Sequence, residues 1–160
     1  FMMTTTFDLN TEKNYEKYRK EIFASLKWFE KKKGVMVNGM NGAGGVAEDG
    51  EMEESRVLEA CNGKVWLINA KGEVRDTIIG VLTSMLSSHY KDKILIGMAS
   101  SDERIKISIR ASNLNAKEFL GQMLEGISEE TGGHANAAGG FISKADEAIF
   151  INRITELAKW

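Results

Sequence analysis

Residues 94–110 read Ile94-Leu95-Ile96-Gly97-Met98-Ala99-Ser100-Ser101-Asp102-Glu103-Arg104-Ile105-Lys106-Ile107-Ser108-Ile109-Arg110. Two strand patterns stand side by side in them. The run Ile94 to Met98 is continuously apolar, as in a strand covered on both faces. Ile105, Ile107 and Ile109 then alternate with Lys106, Ser108 and Arg110, the pattern of a half-buried strand with one polar face. Upstream, Val65-Trp66-Leu67-Ile68 reads as a further strand. Between them, residues 73–89 carry Val74, Ile78, Val81, Leu82 and Met85 at helical spacing. Downstream come an expected helix over 115–130 (Phe119, Leu120, Met123, Leu124, Ile127), a Gly-rich segment, a short strand at 140–143, and a last helix over 145–159 with Phe150, Ile154 and Leu157 inward. Strands alternating with helices predict an α/β fold: a mixed sheet of about four to five strands packed with helices.

A long helix is expected ahead of that unit. Tyr15, Tyr18, Ile22, Leu26 and Phe29 recur at three- and four-residue steps, with N-caps available at Asn10 and Thr11 and a stop at Gly34. Lys31, Lys32 and Lys33 sit where the helix dipole favours cations. A solvated helix end and a phosphate contact both fit them. Residues 1–33 therefore form an arm, and 34–160 the α/β domain. Residues 34–63 begin that domain as an acidic, Gly-rich insert, read as a flexible loop with a short helix over 51–61 ended by Asn62-Gly63.

The 160 residues include 21 Lys plus Arg, 23 Asp plus Glu, two His, one Cys and no Pro, for a net charge of −2. Residues 1–33 carry eight basic and five acidic groups, residues 34–63 one and six, and the remainder twelve of each. With no global basic field, any affinity for nucleic acid must come from a local patch. A single cysteine, Cys61, forms no internal disulfide, and a reducing, cytoplasmic setting is expected. No run is long enough to span a bilayer, and Phe1 to Asn10 lacks the layout of a signal peptide. Cys61, His89 and His134 fall in no zinc-binding spacing, and the Asp residues are scattered singly. A self-contained metal-dependent hydrolase is thereby disfavoured. There is also no Ser elbow and no Gly-Lys-Ser/Thr phosphate loop. Trp28, Trp66 and Trp160 can stack bases, but packing is the commoner use.

One segment carries chemistry: Gly132-Gly133-His134-Ala135-Asn136-Ala137-Ala138-Gly139-Gly140. Gly132 and Gly133 allow the backbone to turn after a helix, and only small side chains follow. A helical turn over Ala135 to Ala138 would point free N–H groups at an anion, with phosphate the natural occupant. His134 and Asn136 can hydrogen-bond it. A tight turn with a structural histidine is the plain alternative.

The segment resembles the G-G-H-x-x-A-A-G signature of the DHH-associated domain, which follows the catalytic DHH domain in RecJ-like phosphoesterases. Gly72-Glu73-Val74-Arg75-Asp76-Thr77-Ile78-Ile79-Gly80 is similar to that family's helix opening, and Lys106 to Ser112 to its S-x-R strand. The likeness spans about residues 64–143 and is nearest to the archaeal RecJ-like group; the 11–33 helix then resembles the connector leaving the catalytic domain. The glycine run before His134 is short, and residues 38–54 have no counterpart. The resemblance implies a domain that grips substrate phosphates, without being catalytic alone, across a cleft from a DHH domain holding manganese or magnesium. No metal is expected in this chain. Carried over residue by residue, it implies phosphate contacts from His134, Arg110, Gly132, Gly133, Asn136 and Ser108. It adds Arg75 and Thr77, where a capping role competes. Three functions follow as expectations: the grip of a single-strand DNA or RNA exonuclease of replication or repair; an NrnA-type domain for short oligonucleotides or small nucleotides; or a non-catalytic module binding proteins of a replication complex. An uncovered apolar face on the arm would favour self-association.

Overall fold

The computed structural model describes residues 12–34, 37–38 and 55–156. Its strands are β1 (Val37–Asn38), β2 (Arg56–Ala60), β3 (Val65–Lys71), β4 (Ile94–Ser101), β5 (Arg104–Arg110), β6 (Ser128–Gly133) and β7 (Ala137–Ser143). Its α-helices are α1 (Glu12–Lys33), α2 (Asp76–His89), α3 (Ala116–Met123) and α4 (Glu147–Glu156). The strands form one sheet in the order β1-β2-β3-β4-β5-β7-β6, so the α/β class holds and the sheet has seven strands rather than four or five. β3 and β4 are parallel, as are β1 and β2; the remaining pairs are antiparallel.

The sheet separates two cores. On one face α1 and α2 cover Val57, Trp66, Ile68, Leu95 and Ala99. On the other, α3 and α4 cover Leu67, Ile96, Met98, Ile105, Ile107 and Ile109. β4 feeds both cores, which is why its sequence runs apolar without alternation. Gly97 lets α2 lie close on the sheet: a Cβ there would stand 2.6 Å from Thr83 Oγ1 and 2.9 Å from Ile79 Cγ1.

The long helix forms, and its apolar stripe docks. Phe29 is fully buried against Trp66 and Tyr90, with ring centroids 6.2 and 6.4 Å away, and Tyr18, Ile22 and Leu26 pack beside it. Trp28 Nε1 donates to Ser55 Oγ at 3.3 Å. Tyr15, expected on the buried face, is 56% exposed because the stripe passes the edge of the sheet there. In α2 the inward set is Ile78, Ile79, Leu82, Thr83 and Leu86; Met85 points outward.

Three expectations need correction. Part of the expected 51–61 helix, residues 56–60, is a strand. Asn62 (φ 56°) and Gly63 (φ 87°) adopt the left-handed conformations of a hairpin turn and return the chain into β3 rather than ending a helix. The insert thus supplies the edge strand β1 and its neighbour β2; residues 39–54 lie outside the described residues, as do Leu157 and Trp160. The helix expected over 115–130 stops at Met123, with Gly126 at φ 82° just beyond, and residues 128–133 form β6. Finally, Ala135 to Ala138 form no helical turn: His134 to Ala137 is the tip of the β6–β7 hairpin.

Candidate functional site

The site grows from the register of three strands. β5 pairs Arg110 with Ala137 and Ser108 with Gly139 on β7, and β7 pairs Gly139 with Gly132 and Ala138 with Gly133 on β6. Opposed residues share a sheet face, so Lys106, Ser108 and Arg110 lie on one face with Ala137, Gly139 and Gly132. That face is the one α2 borders. Small residues on β7 and β6 leave an open shelf; a Cβ on Gly132 would meet empty space. The result is a groove of about 260 Å³ lined by Gly80 of α2, by Lys106, Ser108 and Arg110, and by Gly133, Ala137 and Gly139.

Arg110 is braced in this groove. Its Nε donates to Ser84 Oγ (3.0 Å), its Nη1 to Ser108 Oγ (3.0 Å) and to the Ile109 carbonyl (3.0 Å), and its Nη2 weakly to the Gly80 carbonyl (3.4 Å). Every one of these acceptors is neutral. Among the described residues no carboxylate pairs with it, so a half-buried positive charge stands without a counter-ion. Burial alone pushes its pKa below the ordinary arginine value, the signature of a cation whose solvation has been removed without compensation. Ser84 and Ser108, having accepted from the guanidinium, each keep an O–H to donate. Gly80 is what lets α2 come this close: a Cβ there would touch Ser108 Oγ at 3.5 Å and Arg110 Nη2 at 3.7 Å.

His134 enters from the hairpin tip. Its backbone N–H donates at 2.7 Å to the carbonyl of Ala137, the residue paired with Arg110. The tip is fastened from below. Ala111 N–H donates to the Asn136 carbonyl (3.1 Å) and Ala116 N–H to the Ala135 carbonyl (2.6 Å). The side chains of His134 and Asn136 stay exposed. Gly133, at φ 144°, is required: a Cβ would lie 2.6 Å from the Ala137 carbonyl oxygen and would overlap Ala138 Cα.

Of the residues singled out in the sequence, Arg110, Ser108, Gly132, Gly133, His134 and Asn136 are brought to one end of this shelf. Thr77 shares the α2 face of Gly80 and Ser84 by its spacing and is exposed at the rim. Arg75 is not part of the groove's lining: its Nε and Nη2 donate to both Glu21 carboxylate oxygens of α1, at 2.5 and 2.7 Å. Sequence reasoning misses Lys106, Gly80 and Ser84 as groove residues. Lys106 is legible, being two residues from Ser108 on the polar face; Gly80 and Ser84 need the helix position. The anion donors are side chains on a strand, not the free N–H groups of a helical turn. Cys61 is buried, and burial pushes its thiol pKa up, so it is a packing residue. Among the described residues no three His, Cys, Asp or Glu side chains converge. No described helix is long and apolar enough to cross a membrane.

A family model described as the DHHA1 domain matches residues 62–159, most of the chain. The chain belongs to the DHHA1 domain family. The whole groove lies inside the matched stretch. Among solved structures, RecJ from Thermus thermophilus in complex with Mn2+ is similar at 16% identity and a TM-score of 0.59, over 92% of this chain and 18% of that one. The C-Ala domain of alanyl-tRNA synthetase from Aquifex aeolicus is similar at 21% identity and a TM-score of 0.52, over 68% of this chain and all of that one. An exonuclease RecJ bound to manganese gives 20% identity and a TM-score of 0.51, over 63% of this chain and 25% of that one. These likenesses show a shared fold. The chain spans less than a fifth of the Thermus RecJ chain. No curated protein is significantly similar in sequence.

Proposed function

We propose that this DHHA1 domain is a phosphate grip for single-stranded nucleic acid, the substrate-binding part of a RecJ-like exonuclease or phosphodiesterase. The observation that carries the reading is Arg110: a half-buried guanidinium, braced by neutral oxygens and unpaired with any described carboxylate, facing a shelf floored by glycine. An anion entering the groove supplies the missing charge. It meets the guanidinium charge and the Nη2 N–H that the bracing bonds leave over, the Ser108 and Ser84 hydroxyls and, from the rim, Lys106 and His134. A phosphate ester suits this set because its oxygens accept several donors at once while the glycines admit the attached sugar. Cleavage is assigned to a DHH domain carrying manganese or magnesium outside the described residues.

The test is a fluorescence-anisotropy titration of labelled single strands, with and without a terminal phosphate, at low salt. Charge-assisted hydrogen bonds are worth about 1.5–3 kcal/mol each, so Arg110→Ala should weaken binding by about ten- to a hundredfold. Arg110→Lys should recover only part, and His134→Ala should remove the preference for a phosphate end. Unchanged affinity in both alanine variants overturns the proposal. The small groove also suits a very short substrate; a dinucleotide bound more tightly than a long strand would mark an enzyme of short oligonucleotides.

A further inference from the structure

A grip for one phosphate leaves open how a longer strand is held by a chain of net charge −2. The structure places a lysine-rich edge beside the groove. Five residues after Ser84, which holds Arg110, α2 ends at His89 and the chain enters the loop before β4; five residues of helix rise about 7.5 Å. That loop is tied to the site, since Ser112, two residues past Arg110, donates its Oγ–H to the Lys91 carbonyl at 2.8 Å. From there the cations continue. Lys93 Nζ donates to the Gly63 carbonyl (2.6 Å) and lies 5.2 Å from the Trp66 ring centroid. Lys64 is held next to it by the bond from Ile94 N–H to the Lys64 carbonyl. Lys33 at the end of α1 donates to Tyr90 Oη at 3.0 Å and lies over that ring. Lys31 and Lys32 add two further cations in the same last turn of α1.

We infer that this edge, from Lys91 through Lys93 and Lys64 to Lys31–Lys33, is a lane for the phosphate backbone of a single-stranded polynucleotide whose end sits at Arg110. The inference rests on the proposed grip and extends it. Helix dipoles account for lysines in the last turn of α1, but Lys64, Lys91 and Lys93 are on no helix, so capping does not explain the set. The acidic residues next to these lysines in sequence or by contact are Glu30, Glu59 and Asp92; Glu30 is engaged with Lys33 and Glu59 with Trp66. Trp66 and Tyr90, with centroids 4.7 Å apart, stiffen the floor under the lane. The lane is the local patch that an acidic chain needs in order to bind a polyanion.

The experiment compares a 5′-phosphorylated dinucleotide with a single strand of about twelve nucleotides, a length within the reach of one such domain. It uses native protein, Arg110→Ala, and the triple variant Lys31→Gln/Lys64→Gln/Lys91→Gln, whose altered side chains make no hydrogen bond or ion pair among the described residues. The triple variant should bind the dinucleotide as the native protein does. It should bind the longer strand about tenfold more weakly, with the slope of log K against log salt reduced by about 2, at about 0.7 per lost contact. Arg110→Ala should weaken both ligands. A triple variant with native affinity and native salt slope for the long strand overturns the lane. So does a native protein that holds the long strand no more tightly than the dinucleotide. In either case, loss of dinucleotide binding in Arg110→Ala leaves the grip standing, whereas undiminished dinucleotide binding in Arg110→Ala removes the grip and the lane with it.

Discussion

At the scale of single residues, the site depends as much on side chains that are missing as on those present. Gly133 shows this best. Its φ of 144°, and the overlap that a methyl group there would make with Ala138 Cα, mean that any side chain must push β6 away from β7. Gly133→Ala should therefore cost about 1–3 kcal/mol, seen as a lower midpoint in urea unfolding. It should also weaken phosphate binding, because His134 is the next residue along the displaced strand. Gly132→Ala is the control: a Cβ there meets nothing within 4 Å, so stability should hold. Of the six residues that the sequence assigned to the groove and that the fold gathers there, each was legible from the signature segment or from the polar face of β5. What stayed hidden was the partnership of Arg110 with Ser84 and Gly80. Those residues belong to another element, and no local pattern encodes which turn of α2 lands on which residue of β5. Arg75 shows the converse. A basic residue at a helix start reads as a phosphate contact, and only the position of α1 reveals that Glu21 already occupies it.

At the scale of elements, sequence pattern served well where one period dominated and failed where turn chemistry carried the information. The alternation in β5, the apolar run of β4 and the stripe of α1 from Tyr18 to Phe29 predicted their burial, because each reports a single packing partner per face; Tyr15, the first residue of that stripe, is exposed. Residues 56–60 contain Glu59 and follow an acidic run, which favours a helix reading; Asn62-Gly63 is a hairpin signal of equal strength, and pairing with β3 decides between them. Likewise Gly126 is legible as the stop of α3. The docking of α1 yields a prediction at this scale. Glu21 has its pKa lowered from the usual 4.5, chiefly by the hydrogen bonds from Arg75; burial opposes this, and the charges of Arg75 and Lys17 add to the lowering. A carboxylate with a depressed folded pKa stabilises the fold above its unfolded value, and that stability is lost as pH falls through the folded one. The pair is well exposed, with Arg75 58% accessible, so its worth is below about 1 kcal/mol. Thermal unfolding of Glu21→Gln should therefore show a slightly lower Tm than native protein near neutral pH. The difference should disappear once the pH drops below the depressed Glu21 value. A difference that persists in acid would mean that Glu21 contributes through packing instead.

At the scale of the whole molecule, the two faces of the sheet are covered unequally, and that asymmetry locates function. α1 and α2 roof β2, β3 and β4 on one side, while α3 and α4 roof the opposite side. The shelf of β5, β7 and β6 next to α2 is left open, and Lys106, Ser108, Arg110, Ala137 and Gly139 of the groove lie on it. An open sheet face floored with glycine gains little from hydrophobic burial, so its own stability is low and a ligand seated on it should order it. Amide hydrogen exchange with and without a 5′-phosphorylated oligonucleotide reads this directly. Protection should rise in β6, in the 134–137 tip and in the 90–93 loop, because binding removes the openings that expose those amides. β3, sealed between both cores, should change least, since its backbone amides are already buried in the sheet. Protection confined to α1, or spread evenly over the sheet, would place the ligand elsewhere or reduce its effect to general stabilisation. The expected map is local because the parts of the fold that bind are the ones its cores leave uncovered.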